Sequence, residues 1–182
     1  GKTTTTSMCA HIAIAASIDP TIMIGGNLPL LGAGYRIGKG DTIILESCEY
    51  RNSFLSFRPT TAVILDIEED HLDFFKDLAD IEHSFRTFAN LVPENGVVIA
   101  NADDRNTMDT LDGIDRPFIT FGLGSYADIY CSEPTWEKGL PTFDLYHRDE
   151  LICNISLAIP GLHNVKNALA ASAAALYMGI DP

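Results

Sequence analysis

Basic residues are scarce in this chain: 12 lysines and arginines stand against 25 aspartates and glutamates, a formal net charge of −13 at pH 7. With no basic stripe to neutralise a phosphate backbone, nucleic acid is excluded as a partner. Long apolar runs are also missing, and no cleavable leader pattern opens the chain, so no membrane partner is expected and the expected location is the cytoplasm. The four cysteines, Cys9, Cys48, Cys131 and Cys153, include no close pair and no metal-ligand spacing. That argues against a disulfide framework and a zinc site, and they read as buried or free thiols. Repeats and low-complexity linkers are absent. At 182 residues the chain fits one domain, with room for a small appendage and a real core.

What is present begins at once, with Gly1-Lys2-Thr3-Thr4-Thr5-Thr6. Gly-Lys-Thr is the closing half of a phosphate-binding loop, in which backbone amides curl around phosphate oxygens; only Gly1 of the loop's glycines is here, so the chain is expected to be cut inside that loop. Lys2 suits the β and γ phosphates of a nucleotide, and the Thr3 hydroxyl suits a magnesium ion. The alanine-rich stretch Thr3 to Ser17 places Met8, Ile12 and Ala15 at helical spacing, which puts a helix N-terminus at the phosphate. By itself the tripeptide is equally a solvated lysine in a chance string.

Apolar β-rich runs follow at Thr21–Ile24, ending in Gly25-Gly26, at Thr42–Leu45, ending in Glu46, and at Thr61–Leu65, ending in Asp66. Gly96–Ala100 and Pro117–Phe121 continue the series, and the spacing predicts a helix over Asp77 to Leu91. Continuous apolar strands suit a sheet covered on both faces. The expected fold class is therefore α/β, a mostly parallel sheet flanked by helices, with a small antiparallel β appendage between Asp128 and Ile159. Turn signals at Lys138-Gly139 and Arg148-Asp149 support the appendage, and a last helix is expected from about His163 to Met178.

In open α/β sheets ligands sit beyond the carboxyl ends of the strands, where Glu46, Asp66, Glu68 and the run Asn101 to Asp104 all fall. Glu46 can ligate magnesium or be a surface carboxylate. The segment Asp66-Ile67-Glu68-Glu69-Asp70-His71-Leu72-Asp73 concentrates carboxylates that repel one another without a cation. It makes His71 a candidate metal ligand, held through its other nitrogen by Asp70 or Asp73. Asn164 and Asn167 share a helix face and can pair with an adenine edge; Asn164 can equally cap its helix. His11, His83 and His147 lack acidic company and receive no role.

Taken in order, Gly1–Thr6, Ile24-Gly25-Gly26 with Leu31-Gly32, Glu46-Ser47-Cys48-Glu49-Tyr50-Arg51, Asp70–Asp73, Asn101–Asp104 and Pro160–Leu169 resemble the Mur ligase family, and they span the chain. The resemblance implies a P-loop NTPase-like central domain of a three-domain enzyme, with a UDP-binding domain before it and an amino-acid-binding domain after it. It implies an ATP-dependent ligase of peptidoglycan precursor synthesis, using ATP and Mg²⁺ to form an amide through an acyl phosphate. The nearest branch adds L-alanine to UDP-N-acetylmuramate; a branch that attaches a preformed tripeptide, or a non-catalytic nucleotide-binding module, are the alternatives. Carried onto this chain, Gly1, Lys2, Thr3 and Thr4 hold phosphate, with Thr3 on the first metal. Glu46 is the shared metal ligand, His71 binds a second ion, and Asn167 reads adenine in a pocket shaped by His163 and Asn164. The segment Glu49-Tyr50-Arg51 is similar to one near the muramoyl carboxylate. Where other branches carry a carbamylated lysine this sequence reads Ser84-Phe85-Arg86, which fits the alanine-adding branch. Such a fragment alone is expected not to turn over.

Overall fold

The computed structural model describes residues Gly1–Pro182. Helix α1 (Lys2–Ala15) leads into strand β1 (Thr21–Leu28), which turns back as β2 (Ala33–Arg36) before β3 (Ile43–Leu45). A kinked 3-10 segment, Tyr50–Ser56, precedes β4 (Thr61–Ile64), α2 (Leu78–Ala89), β5 (Val97–Asn101), α3 (Arg105–Leu111) and β6 (Phe118–Phe121). Strands β7 (Ile129–Cys131), β8 (Thr135–Glu137), β9 (Leu140–His147) and β10 (Glu150–Ser156) follow, and α4 (Leu162–Tyr177) closes the chain. The α/β class is as expected. No helix is long and apolar enough to cross a membrane.

Strand β5 shows why its residues read as one apolar run. All five are buried, with Val97 and Ile99 in the core under α1 and α4, and Val98 and Ala100 in the core under α2 and α3. Alternate side chains thus fill opposite faces of a sheet covered on both sides. Each such aliphatic side chain contributes roughly 1.5–3 kcal/mol by leaving water. Helix α4 packs on α1, and its Ala170, Ala171, Ala173 and Ala174 share one core with Ala10 and Ala13 of α1, all at most 5% exposed. Small side chains let the two backbones approach closely, and a buried hydrogen bond from Thr5 Oγ1 to Asn167 Oδ1, 3.1 Å, pins their first turns together.

One feature differs from the sequence expectation. The parallel pairs are divided between two sheets: β1–β3 belong to a three-stranded sheet of order β2-β1-β3, while β4-β5-β6-β7 belong to a seven-stranded one. Strands β3 and β4 are the end strands of their sheets and both line a cleft of about 870 Å³. The antiparallel meander expected between Asp128 and Ile159 is present, and it is joined to the main sheet because β9 pairs with β7 and carries the sheet on through β10. Its two expected turns are present, with φ values of 51° and 81° at Lys138-Gly139 and 49° and 69° at Arg148-Asp149. Strand β2 has no apolar run to announce it. It forms because Gly34 permits the backbone to pass where a Cβ would lie 2.7 Å from the Gly26 carbonyl oxygen.

Candidate active site

The N-terminus of α1 carries no side-chain cap; its first backbone bond runs from Thr5 N to Gly1 O, 3.0 Å. The amides of Lys2, Thr3 and Thr4 precede that bond and have no partner within the helix, which leaves them with the positive end of the helix dipole for an anion. The β1 strand reaches this helix start through Gly25-Gly26. A Cβ on Gly25 would lie 3.1 Å from the Glu46 carboxylate, and one on Gly26 would lie 3.2 Å from Thr3 Cγ2.

Glu46, just past β3, is held by that approach. Gly25 N donates to its Oε2 at 2.7 Å, and Thr3 Oγ1 donates to its Oε1 at 2.8 Å. A hydroxyl and a carboxylate at this separation are hard oxygen donors suited to magnesium. Thr3 and Glu46, each expected separately as a metal ligand, are thus in direct contact with one another.

Lys2 turns to Glu49, donating to both carboxylate oxygens at 2.7 and 3.0 Å. Partial burial works against its ammonium, yet the Glu49 hydrogen bond and charge, with help from Cys48 and Asp66, leave its pKa raised above the ordinary lysine value. Lys2 is thus charged throughout the neutral range. Asp66 shows the opposite strain: partial burial of its carboxyl and the neighbouring Asp104 raise its pKa, against the pull of the chain's amino group and Lys2.

His71 also comes to Glu49. Its Nε2 lies 3.6 Å from Glu49 Oε1 and 3.7 Å from Asp70 Oδ2. The Asp73 side chain is engaged elsewhere, accepting from Tyr50 Oη at 2.9 Å, while the Tyr50 ring packs 4.8 Å from the imidazole. His71 has φ 53°, a left-handed conformation rare outside glycine, asparagine and aspartate. The surroundings hold it there: its N–H donates to Asp70 Oδ1 at 2.7 Å and its carbonyl accepts from Phe74 N and Phe75 N at 2.8 and 3.0 Å. The nearby carboxylate from the Glu46–Arg51 segment is that of Glu49, whose segment the resemblance sets near the muramoyl carboxylate without assigning it a contact.

At the start of α4, Asn164 and Asn167 are adjacent on one face as expected, and both are buried. Asn167 Nδ2 donates to Asn164 Oδ1 at 3.1 Å, and Asn164 Nδ2 donates to Pro160 O at 2.7 Å. Their amides thus tie α4 to α1 and to the Pro160-Gly161 turn; Gly161, not Asn164, occupies the N-cap. His163 is the exposed member of the set. Thr5, which the sequence offers only as part of the Gly1–Thr6 run, joins α1 to α4 through Asn167.

The run Asn101 to Asp104 is a joint rather than an open acidic patch. Asn101 Nδ2 donates to Leu65 O at 2.7 Å, and Asp104 Oδ2 accepts from Ile67 N and from Thr107 N and Oγ1 while capping α3. Asp103 accepts from Tyr126 Oη and from Lys166 Nζ, the latter at 2.9 Å. Burial opposes its ionisation, but these hydrogen bonds and the Lys166 charge hold its pKa below the ordinary 3.8. A depressed carboxyl stabilises the fold above its unfolded pKa and loses that contribution as pH falls through the folded value. Lys166→Met is therefore expected to cost about 1 kcal/mol at pH 7. The wild-type advantage should shrink in thermal melts as the pH falls below about 4; a pH-independent difference would show that the ion pair contributes nothing.

A model of the Mur ligase middle domain matches residues 1–175. The chain belongs to this family. UDP-N-acetylmuramate–L-alanine ligases of Acetivibrio thermocellus and Clostridium novyi are 46% and 43% identical to it over 181 and 180 residues, 98% and 99% of the chain. The chain spans 39% of the length of each. Among solved structures, the UDP-N-acetylmuramate:L-alanyl-γ-D-glutamyl-meso-diaminopimelate ligase of Neisseria meningitidis superposes with a TM-score of 0.88 at 29% identity, covering all of this chain and 60% of that one. The UDP-N-acetylmuramate–alanine ligase of Thermotoga maritima gives 0.84 at 26%, covering all of this chain and 40% of that one. In this Mur ligase middle domain Lys2, Thr3, Glu46, Glu49 and His71 gather at the start of α1.

Proposed function

We propose that this Mur ligase middle domain is the nucleotide-binding part of an ATP-dependent ligase that joins L-alanine to UDP-N-acetylmuramate in the cytoplasm, with the sugar-nucleotide and amino-acid sites formed by residues outside this chain. The observation that carries the proposal is the contact of Thr3 and Lys2, in the first turn of α1, with Glu46 and Glu49. This places a cation, two carboxylates and three free amides at one helix start. The 42–46% identity of the alanine-adding relatives supports L-alanine as the incoming amine.

The chemistry follows from the substrate: a carboxylate is a poor electrophile, and transfer of the γ-phosphoryl group to it creates a leaving group that the amine of alanine can displace. Lys2 would leave Glu49 for the phosphate oxygens and offset their charge. The amides of Lys2, Thr3 and Thr4 would orient the phosphates from Gly1 onward. Thr3 and Glu46 would hold one magnesium ion, and His71, with Glu46 as the shared ligand, a second. Magnesium supplies neutralisation of the charge that develops during phosphoryl transfer. His163, with Asn164 and Asn167 behind it, would shape the adenine pocket.

The likeness to the Neisseria tripeptide ligase supports a second reading, in which the acceptor is joined to a preformed tripeptide. Phosphate release from ATP by the intact protein separates the two. Release requiring both UDP-N-acetylmuramate and L-alanine is expected; release with tripeptide but not alanine would favour the second reading. No release with either would leave a nucleotide-binding module.

A further inference from the structure

Cys48 is absent from the chemistry above, yet it stands beside it. Its Sγ, a carboxylate oxygen of Glu49 and an imidazole nitrogen of His71 all lie within 4.8 Å of one another. Sequence spacing could not show this, because His71 lies 23 positions beyond Cys48 and arrives on a separate loop. The other thiols are differently placed. Burial pushes Cys9 up to about 12 and Cys131 to about 11, whereas Cys48 is exposed.

The backbone behind each donor is fixed. Tyr50 N points at Cys48 Sγ, 3.4 Å away, and the Cys48 carbonyl accepts from Ser53 Oγ at 2.8 Å and Phe54 N at 3.1 Å. His71 is held in its left-handed conformation by the bonds to Asp70, Phe74 and Phe75, with Tyr50 against its ring. A thiolate, an imidazole and a carboxylate form a mixed S, N, O set. Magnesium, which prefers six oxygens, is poorly served by it; zinc accepts such a set in tetrahedral geometry, with water as the fourth ligand.

We propose that Cys48, Glu49 and His71 form a binding site for a thiophilic divalent cation of the zinc type, whose occupation takes Glu49 away from Lys2. On binding, the Cys48 thiol gives its proton to solvent and the Glu49 carboxylate exchanges the Lys2 ammonium for the metal. The cation site itself is independent of the ligase reading. Its consequence rests on that reading: bound zinc engages His71 and inhibits turnover in competition with the magnesium–ATP complex.

Cobalt is the probe for binding. Titrated into the intact protein without nucleotide, Co²⁺ is expected to give a thiolate-to-cobalt charge-transfer band in the near ultraviolet, which zinc abolishes and excess magnesium does not. Cys48→Ser should lose the band and weaken zinc binding by more than about 10-fold, with an unchanged circular dichroism spectrum. Absence of the band in the wild-type protein, or its survival in Cys48→Ser, would overturn the site. In the second arm, micromolar zinc should raise the apparent KM for ATP in the wild-type enzyme and leave Cys48→Ser, with its magnesium-supported activity retained, unaffected. Equal inhibition of both would overturn the consequence while leaving the cobalt result to stand. Loss of all turnover would count against the ligase reading, and the spectroscopic arm would still decide the site.

Discussion

Lys2→Met in the intact protein is expected to lower kcat by about 10³-fold, the order seen when a cation on a transferring phosphoryl group is removed. That is about 4 kcal/mol of transition-state stabilisation. The expectation rests on where the ammonium is kept. Glu49 holds it 2.7 Å away at the start of α1 and raises its pKa, so it is charged and within reach of the amides that would orient the phosphates. Methionine keeps much of the stem's bulk and removes the charge. Folding should hardly change, because the Lys2 side chain is 45% exposed and ion pairs of that kind contribute little to stability. Lys2→Arg is not a neutral control, since a planar guanidinium replaces a compact point charge. Turnover within tenfold of wild type in Lys2→Met would remove Lys2 from the chemistry.

Glu46→Gln is expected to lower turnover by at least about 10²-fold and to raise the magnesium concentration needed for half-maximal rate. The amide oxygen of glutamine can still accept from Gly25 N while its NH2 donates to the Thr3 hydroxyl oxygen, so both partners that Glu46 has now keep a hydrogen bond. What it lacks is the charge a hard cation requires. Glu46→Ala loses both, so its melting temperature should fall by the equivalent of about 1 kcal/mol while its turnover falls at least as far as that of glutamine. Comparing kcat, magnesium dependence and thermal melts for the pair separates the roles. If glutamine restores full activity, Glu46 is a structural acceptor joining β1 to α1 and not a metal ligand.

Much of this molecule was legible before its structure. The five apolar runs, the amphipathic helix ending before Pro93 and the alanine-saturated last helix are local patterns, and local periodicity reports the face a residue must bury. The turns at Lys138-Gly139 and Arg148-Asp149 were legible for the same reason. Helix α3 and strand β2 were not, because seven residues carry little helical periodicity and Ala33–Arg36 forms no apolar run. The division into two sheets was equally hidden: edge-to-edge pairing of strands depends on which chains lie side by side, and each strand's own sequence is silent on that.

The site divides along the same line. Residue types and their order made Lys2, Thr3, Glu46 and His71 candidates, because a cation suits phosphate, a hydroxyl and a carboxylate suit magnesium, and an imidazole among carboxylates suits a metal. Tertiary structure alone decided the pairings: Thr3 with Glu46, Lys2 and His71 with Glu49, Cys48 beside both, and Thr5 with Asn167. These contacts join residues up to 162 positions apart. They arise because Gly25-Gly26 lets β1 approach α1 and because a left-handed turn at His71 swings its imidazole back to the end of β3. Sequence therefore determined which chemical groups the fold would carry to its strand ends, and three-dimensional packing determined which of them touch.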